Sequence, residues 1–594
     1  MSAKDASARI ARPKPLVVRA VNPAVLTPAA EGHWFLDFGR AAFGTIELDV
    51  ECPSATVLEV DLGERLSSPG IIDRDPPGCV RYRHLKVSVS AGRQTVRVVI
   101  PPDAQNIAPA AICMPADLFE VLPFRYAEVH APDASVKLHA ATQLAVNYPF
   151  DETAAAFSCS DDRLNRVWEL CRYSIQTTSF CGVYVDGDRE RIPYEGDAYL
   201  NQLSHYGVDS EYELARHSLE YLLFHPTWPT EWALHCVPMA WADYEYTGDT
   251  ALLETYYEVL REKTLLALAR EDGLISTMTG LVTDDFLRRM RLSNMQDLVD
   301  WPPANPAAGV PGERDGYDMV PVKTVVNAFH CWNLDLFARV AGVLGREEDR
   351  TFFTRRHRQV AESLQRVCFD ASRGIYVDGE GSKHASLHAN MLPAAFGLVP
   401  PEHRATVTAF LRSRGMACSV YGAQFLLEAL YRLGDASHAL ALMTAQHDRG
   451  WLHMLDLGST ITLEAWDVRY KANLDWNHAW GAAPANIIPR CLMGVRPAEP
   501  GFRSILIAPQ PASLQWAKSR VPTPHGPVLL EIEQQPAHAQ VEVTVPGGCT
   551  ATVDLTGMVP ADCAVTVDGK AQTVQALRER SLEAGTHRLR VQKR

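Results

Sequence analysis

Between about residues 30 and 135 apolar and polar side chains alternate with a period of two, as in Thr45-Ile-Glu-Leu-Asp-Val50, Thr56-Val-Leu-Glu-Val60 and Thr95-Val-Arg-Val-Val-Ile100. A strand sends successive side chains to opposite faces, so this pattern predicts half-buried antiparallel strands. Turn-formers such as Ser67-Ser-Pro-Gly70 and Asp75-Pro-Pro-Gly78 separate them, which suits a β-sandwich better than a parallel sheet. Near residue 160 the period changes. Ser160-Asp-Asp162 supplies an N-cap, after which Leu164, Val167, Trp168, Cys171 and Ile175 fall on one helical face. Leu214, Ala215, Ser218, Leu219 and Leu222 repeat the spacing, as do Phe353, His357, Val360, Leu364 and Val367. Alternation returns in Val528-Leu-Leu-Glu-Ile532, Val541-Glu-Val-Thr-Val545 and His587-Arg-Leu-Arg-Val591.

An α/β sheet would interleave the two periods; their segregation here predicts separate domains. The expected division is an N-terminal extension at 1–29, a β-sandwich at 30–150, a helical domain at 151–498 and a C-terminal antiparallel β-sandwich at 499–594. No short repeat links the helices, so a toroid of dissimilar helix hairpins is the economical architecture. A length of 594 residues fits several cores rather than one.

The formal charge of -14, with Lys and Arg scattered among carboxylates, gives no basic stripe for phosphate and argues against a nucleic-acid partner. No apolar run is long enough for a signal-peptide core or a membrane span, so the expectation is a cytoplasmic protein with no membrane partner. Thirteen cysteines without a CxxC pair fit reduced thiols. There is no HExxH, and the pair His384 and His388 lacks a third ligand nearby, so neither a metal nor a cofactor is expected. Self-association into a homo-oligomer is left open.

Chemistry concentrates in two segments. Val185-Asp-Gly-Asp-Arg-Glu-Arg-Ile-Pro-Tyr-Glu-Gly-Asp197 packs carboxylates around two arginines just before a helix expected near Asp197. Neighbouring carboxylates raise a pKa while arginines hold geometry, which is what a general acid needs. A solvated turn with Asp197 as N-cap is the competing reading. The second segment is Gly458-Ser-Thr-Ile-Thr-Leu-Glu-Ala-Trp-Asp467 with Asn473-Leu-Asp-Trp-Asn-His-Ala-Trp480. Aromatic planes beside paired donors and acceptors suit the apolar faces and hydroxyl rim of a sugar. A core helix pair with buried tryptophans is the alternative. Trp228-Pro-Thr-Glu-Trp232, Asp300-Trp-Pro-Pro303 and Glu313-Arg-Asp-Gly-Tyr-Asp318 repeat the aromatic and acidic mixture in loops. No G-x-S-x-G elbow, P-loop or G-x-G-x-x-G motif is present.

Asp188-Arg-Glu-Arg-Ile-Pro-Tyr-Glu-Gly-Asp197 resembles the acidic motif of the α-L-rhamnosidases of glycoside hydrolase family 78, and Thr460-Ile-Thr-Leu-Glu-Ala-Trp-Asp467 with Asp475-Trp-Asn-His-Ala-Trp480 resembles that family's closing motif. Leu122-Pro-Phe-Arg-Tyr-Ala-Glu128 is similar to the strand that ends its first sandwich, and Gly494-Val-Arg-Pro497 to its exit into a C-terminal one. The resemblance implies a central (α/α)6 barrel of six hairpins between two β-sandwiches, and an inverting glycosidase that removes terminal α-L-rhamnose from small rhamnosides. Its general acid maps onto Glu190 and its base onto Glu464, with Glu195 a second candidate acid because Ile192-Pro193-Tyr194 replaces the Gly-Trp-Thr of many relatives. Asp186, Arg189, Asp197, Glu195, Glu231 and His478 become expected sugar contacts, and Tyr194, Trp232, Trp301 and Trp466 pocket walls. Another glycosidase or a lyase on the same barrel, and a sugar-binding protein without turnover, are the alternatives.

Overall fold

The computed structural model describes residues 10–592, and its elements run β, then α, then β. In the N-terminal region Val17–Val21, Lys137–Asn147, His33–Cys52, Leu122–His130, Thr56–Gly63 and Tyr82–Val89 follow one another across a sheet, with Val25–Ala30 and Gly92–Arg97 also paired to His33–Cys52. His33–Cys52 is 20 residues long, and its register against Leu122–His130 shifts between Asp37 and Ala42. Such a bulge bends a strand, so its two halves serve different partners. Leu36, Ile46, Leu48, Val50, Leu58, Val60 and Leu62, from alternate strand positions, fill the space enclosed.

Two expectations change here. The stretch read as an N-terminal extension at 1–29 contains Val17–Val21, paired with Lys137–Asn147, and Val25–Ala30, paired with His33–Cys52. Both strands are largely exposed, so they carry no apolar alternation from which to be read. Residues 1–9 of that stretch lie outside the described residues. The strand expected through Ile100 ends at Arg97.

Helices occupy the middle of the chain in two kinds. Glu195–Val208 is buried at every position and Val420–Arg432 at almost every one, whereas Glu347–Cys368 buries only Phe353, Val360, Ser363, Leu364 and Cys368. A helix buried all round has neighbours on every side, and one with a single apolar stripe packs on the outside of others. Asp162–Thr178 begins as expected, with Asp161 as N-cap accepting from the Arg163 amide at 3.0 Å, and its expected apolar face is buried.

The C-terminal region holds two sheets. One runs Ala156–Cys159, Trp516–Val521, Val528–Gln534, His538–Val545, Gly585–Gln592, Ala564–Val567, Lys570–Thr573; the other runs Val495–Pro497, Ser504–Ile507, Thr550–Val553, Ser581–Leu582. Ala156–Cys159 precedes the helices in sequence yet pairs with Trp516–Val521, whereas Val495–Pro497, which follows them, joins the other sheet, so the helical region is entered from one sheet of the C-terminal region and left into the second. The expectation of a purely antiparallel region is corrected at Ser504–Ile507, which pairs parallel with Thr550–Val553. Alternation reports burial, not direction, and the intervening strands supply the long crossover that a parallel pair requires. Among the described residues no helix is long and apolar enough to cross a membrane.

Candidate active site

The acidic loop is a closed turn. The Asp186 amide donates to the Ile192 carbonyl at 3.0 Å and the Arg191 amide to the Gly187 carbonyl at 3.2 Å, while the Ile192 amide donates to Asp186 Oδ1 at 2.9 Å. Arg189 and Glu190 are displayed at its tip. Arg191 adopts a φ of 53°, a left-handed conformation that costs a non-glycine residue energy and persists only where its surroundings impose it. Those surroundings are named: Arg191 Nη2 donates to Asp188 Oδ1 at 2.8 Å and to the Val121 carbonyl at 3.0 Å, and its own carbonyl accepts from the Ile112 amide at 2.9 Å. Asp188 also takes Arg81 Nε at 2.6 Å. The N-terminal β region therefore grips the loop from behind.

The second segment folds against the first. The Asp188 amide donates to Asn477 Oδ1 at 2.7 Å, the Glu464 amide to the Asp475 carbonyl at 3.2 Å, and Trp480 Nε1 to the Glu464 carbonyl at 2.9 Å. Between the two lies a cavity of about 710 Å³, lined by Asp186, Arg189, Glu190, Tyr194, Asp197, Trp228, Trp232, Trp301, Glu464, Lys471, His478 and Trp480 among others. A Cβ at Gly196 would stand 2.9 Å from the Trp232 ring, so glycine before Asp197 is what lets this wall pack against the helix start.

One guanidinium joins the two mapped glutamates. Arg189 Nη1 donates to Glu190 Oε1 at 2.9 Å and Nη2 to Glu464 Oε1 at 2.7 Å. Lys471 Nζ lies 3.1 Å from the same Glu464 oxygen, and Tyr194 Oη donates to Glu190 Oε2 at 3.4 Å. Glu190 is 30% exposed and Glu464 2%. Burial, then the Asp475 charge, raise the Glu464 pKa, against His478, Arg189 and Lys471. Burial likewise pushes the Asp186 carboxyl well above its ordinary range. Burial alone would lower His478, but Asp475 and Asp197 override it and hold the ring protonated; its Nε2 is 2.7 Å from Asp197 Oδ1 and its Nδ1 3.5 Å from Asp475 Oδ1. Glu464, Asp475 and His478 offer ligand-type atoms within 4.8 Å of one another, and Arg189 and Lys471 both bring positive charge to Glu464 Oε1.

Three expected contacts are corrected. Glu195, the second candidate acid, is fully buried away from the cavity, accepting from the Thr227 amide at 3.1 Å and from the Thr227 hydroxyl. It opens a helix, and the helix start turns it outward from the loop tip. Glu231 is pushed up to about 7 by burial and Asp297, and accepts from the Leu298 and Val299 amides at 2.8 and 2.7 Å. It shapes the loop that carries Trp301 rather than touching the cavity. Trp466 packs edge-on against Trp451 and donates to the Cys418 carbonyl at 2.7 Å, inside the core. His478, expected to serve a sugar hydroxyl, lines the cavity but commits Nε2 to Asp197. His384 and His388 part company, one on Asp378 and the other on Asp300.

Sequence reasoning missed Lys471, which lies between the two quoted pieces of the closing segment, and left Trp228, Asp475 and Trp480 without roles although it quoted them. A lysine amid carboxylates was the available signal.

A pocket of carboxylates, cations and indoles set on a helical domain between β-rich regions has the make-up of a small-molecule site, apolar planes with a few converging polar groups. The chain belongs to the bacterial α-L-rhamnosidase 6-hairpin glycosidase domain family, whose model matches residues 152–492; the bacterial α-L-rhamnosidase C-terminal domain model matches 494–568. An α-L-rhamnosidase of Formosa agariphila is 23% identical over 339 residues, covering 54% of this chain and 34% of that protein. The chain spans between about a quarter and about half of the length of the curated relatives it matches. Among solved structures, the α-L-rhamnosidase of Dictyoglumus thermophilum superposes with a TM-score of 0.77 at 16% identity, covering 98% of this chain and 64% of the other. That of Streptomyces avermitilis, complexed with L-rhamnose, does so with a TM-score of 0.73 at 19% identity, covering 98% and 54%.

Proposed function

We propose that this chain hydrolyses terminal α-L-rhamnosides by an inverting acid/base mechanism, with Glu190 as acid and Glu464 as base. The observation that carries the reading is the Arg189 fork, which places one carboxylate on each arm at the edge of a sugar-sized cavity. Glu190, the more exposed, is open to a leaving-group oxygen. Glu464 is buried, so its raised proton affinity makes it a stronger base, while Arg189 and Lys471 favour its ionised form. Glu464 Oε2 and Asp186 Oδ2 are buried acceptors without a hydrogen-bond partner among the described residues, and sugar hydroxyls are donors suited to them. The fold likeness to solved rhamnosidases, and the division into fully buried and one-faced helices, support the finer reading of an (α/α)6 barrel between two β-sandwiches. Thirteen free cysteines, most of them buried, support a reducing compartment.

The test is turnover of aryl and alkyl α-L-rhamnosides by wild type, Glu190→Gln and Glu464→Gln. Each variant is expected to lose roughly 10²–10⁴-fold on the alkyl substrate. p-Nitrophenolate leaves without a proton, so Glu190→Gln should keep far more turnover on the aryl substrate than Glu464→Gln does. Proton NMR of the first sugar released reads the stereochemistry: a β-anomer means inversion, an α-anomer a covalent retaining route. A folded wild type inert toward every rhamnoside would sink the reading.

A further inference from the structure

The N-terminal β region reaches both segments that frame the cavity, and it does so from one point. Strand Thr56–Gly63 ends with Gly63 opposite Tyr82, and the next residues, Glu64 and Arg81, continue the pairing. The Glu64 amide donates to the Arg81 carbonyl at 3.1 Å, and the Arg81 amide donates to Glu64 Oε2 at 2.7 Å. From there the side chains diverge. Arg81 goes to the acidic loop, at Asp188; Glu64 goes to the closing segment, where its Oε1 accepts from Asn477 Nδ2 at 3.2 Å. Neither lines the cavity.

Asn477 is the joint between the two segments. Its Oδ1 accepts from the Asp188 amide at 2.7 Å, and its own amide donates to Asp475 Oδ1 at 3.3 Å. Gly187 packs directly on it: a Cβ there would stand 2.7 Å from the Asn477 carbonyl oxygen and 2.8 Å from Oδ1. Glu64, Asn477 and Asp188 are all buried, so a lost partner leaves a polar group unpaired at full cost. A carboxamide has one donor end and one acceptor end. Turned by half a rotation, Asn477 would set its oxygen against the Glu64 carboxylate and its NH2 against the Asp188 N–H. The Glu64 carboxylate thus selects the one orientation in which Asn477 holds the acidic loop. Arg189 and Glu190 follow Asp188 directly, and the Asp475 carbonyl accepts from the Glu464 amide, so this joint sets how the two glutamates approach each other.

We propose that Glu64 is a positioning residue for the reaction, acting through Asn477 to fix the acidic loop against the closing segment. The role rests on the hydrolase reading of the cavity, but the geometry it imposes is readable without substrate.

The test exchanges donor and acceptor. In Glu64→Gln one bond fails, because the amide offers one acceptor where two donors point. In Glu64→Gln/Asn477→Asp the new carbonyl oxygen accepts from the Arg81 amide and the new NH2 donates to the carboxylate now at position 477. That carboxylate still accepts from the Asp188 amide, so each bond is restored. Burial pushes the Glu64 carboxyl up to about 8, against its two donors and with Asp475 and Asp188 adding to the rise; the comparison is therefore made at about pH 9, where it is mostly ionised. In Glu64→Gln, hydrogen exchange at the Asp188 amide, read by mass spectrometry, is expected to be about tenfold faster than in the wild type. Its kcat on p-nitrophenyl α-L-rhamnoside is expected to fall about tenfold, with a smaller change in KM. The double variant is expected to recover most of both losses. The proposal is overturned if Glu64→Gln matches the wild type, if the double variant does no better than Glu64→Gln, or if Tm falls and recovers while kcat never moves. If Glu64→Gln fails to fold, a folded, active double variant supports the proposal and an unfolded one overturns it. A wild type inert toward rhamnosides would sink the hydrolase reading, and exchange at Asp188 would still decide whether Glu64 holds the loop.

Discussion

Glu464 takes its proton affinity from a balance within a few ångströms: burial and Asp475 raise it, His478, Arg189 and Lys471 lower it. If Glu464 is the base proposed above, it must be ionised to act, and kcat/KM is expected to fall as pH drops through its pKa. Lys471→Met removes a cation 3.1 Å away and so raises that pKa further. The acid limb of the kcat/KM profile is expected to move to higher pH in this variant, and an unmoved limb would assign it to another group. At this scale the sequence singled out Glu190, Arg189 and Glu464, which the structure brings together at one cavity. It misplaced Glu195 and Glu231 because a carboxylate beside an aromatic reads alike whether it faces a cavity or caps a buried backbone.

Loops built around those carboxylates act as units. Glu231 accepts two buried amides, at Leu298 and Val299, and so shapes the segment whose Trp301 walls the cavity. Glu231→Ala leaves both amides unpaired and is expected to destabilise the protein by at least about 2 kcal/mol. Because Trp301 lines the cavity wall, KM should rise more than kcat falls, and Glu231→Gln should recover only part of the loss, since its one carbonyl oxygen accepts one amide while its NH2 faces the other. Steady-state kinetics beside denaturant melts check both parts. Helices with one apolar face, such as Asp162–Thr178, were legible from their period. The exposed strands Val17–Val21 and Val25–Ala30 were not, since they bury too little to leave a pattern.

Across the whole molecule the N-terminal β region holds the acidic loop at the cavity. Arg81 reaches Asp188 by Nε to Oδ2 and by Nη2 to its carbonyl, each at 2.6 Å, and Asn106 adds a donor at 3.2 Å. Arg81→Ala removes one cation from a buried carboxylate and is expected to cost about 3 kcal/mol. It should also lower kcat, although Arg81 does not line the cavity. Arg81→Lys should not rescue it, because a single ammonium does not reproduce the fork that serves side chain and backbone together. Thermal melts and kcat for the three proteins decide this, and a destabilised Arg81→Ala with unchanged kcat would mean the β region is support alone.

By itself the sequence determined which segments are strands and which are helices, because burial of one face imposes a period of two or 3.6 on the chain wherever that face is apolar. It also brought out the two segments that meet at the cavity, through their concentration of carboxylates, arginines and indoles. Only the tertiary structure decided which carboxylates meet: Glu190 and Glu464, joined through Arg189 across 274 positions of chain. Local periodicity encodes which face is buried but not which segment lies opposite it. Strand pairing, helix packing and the desolvation they impose are products of the assembled chain.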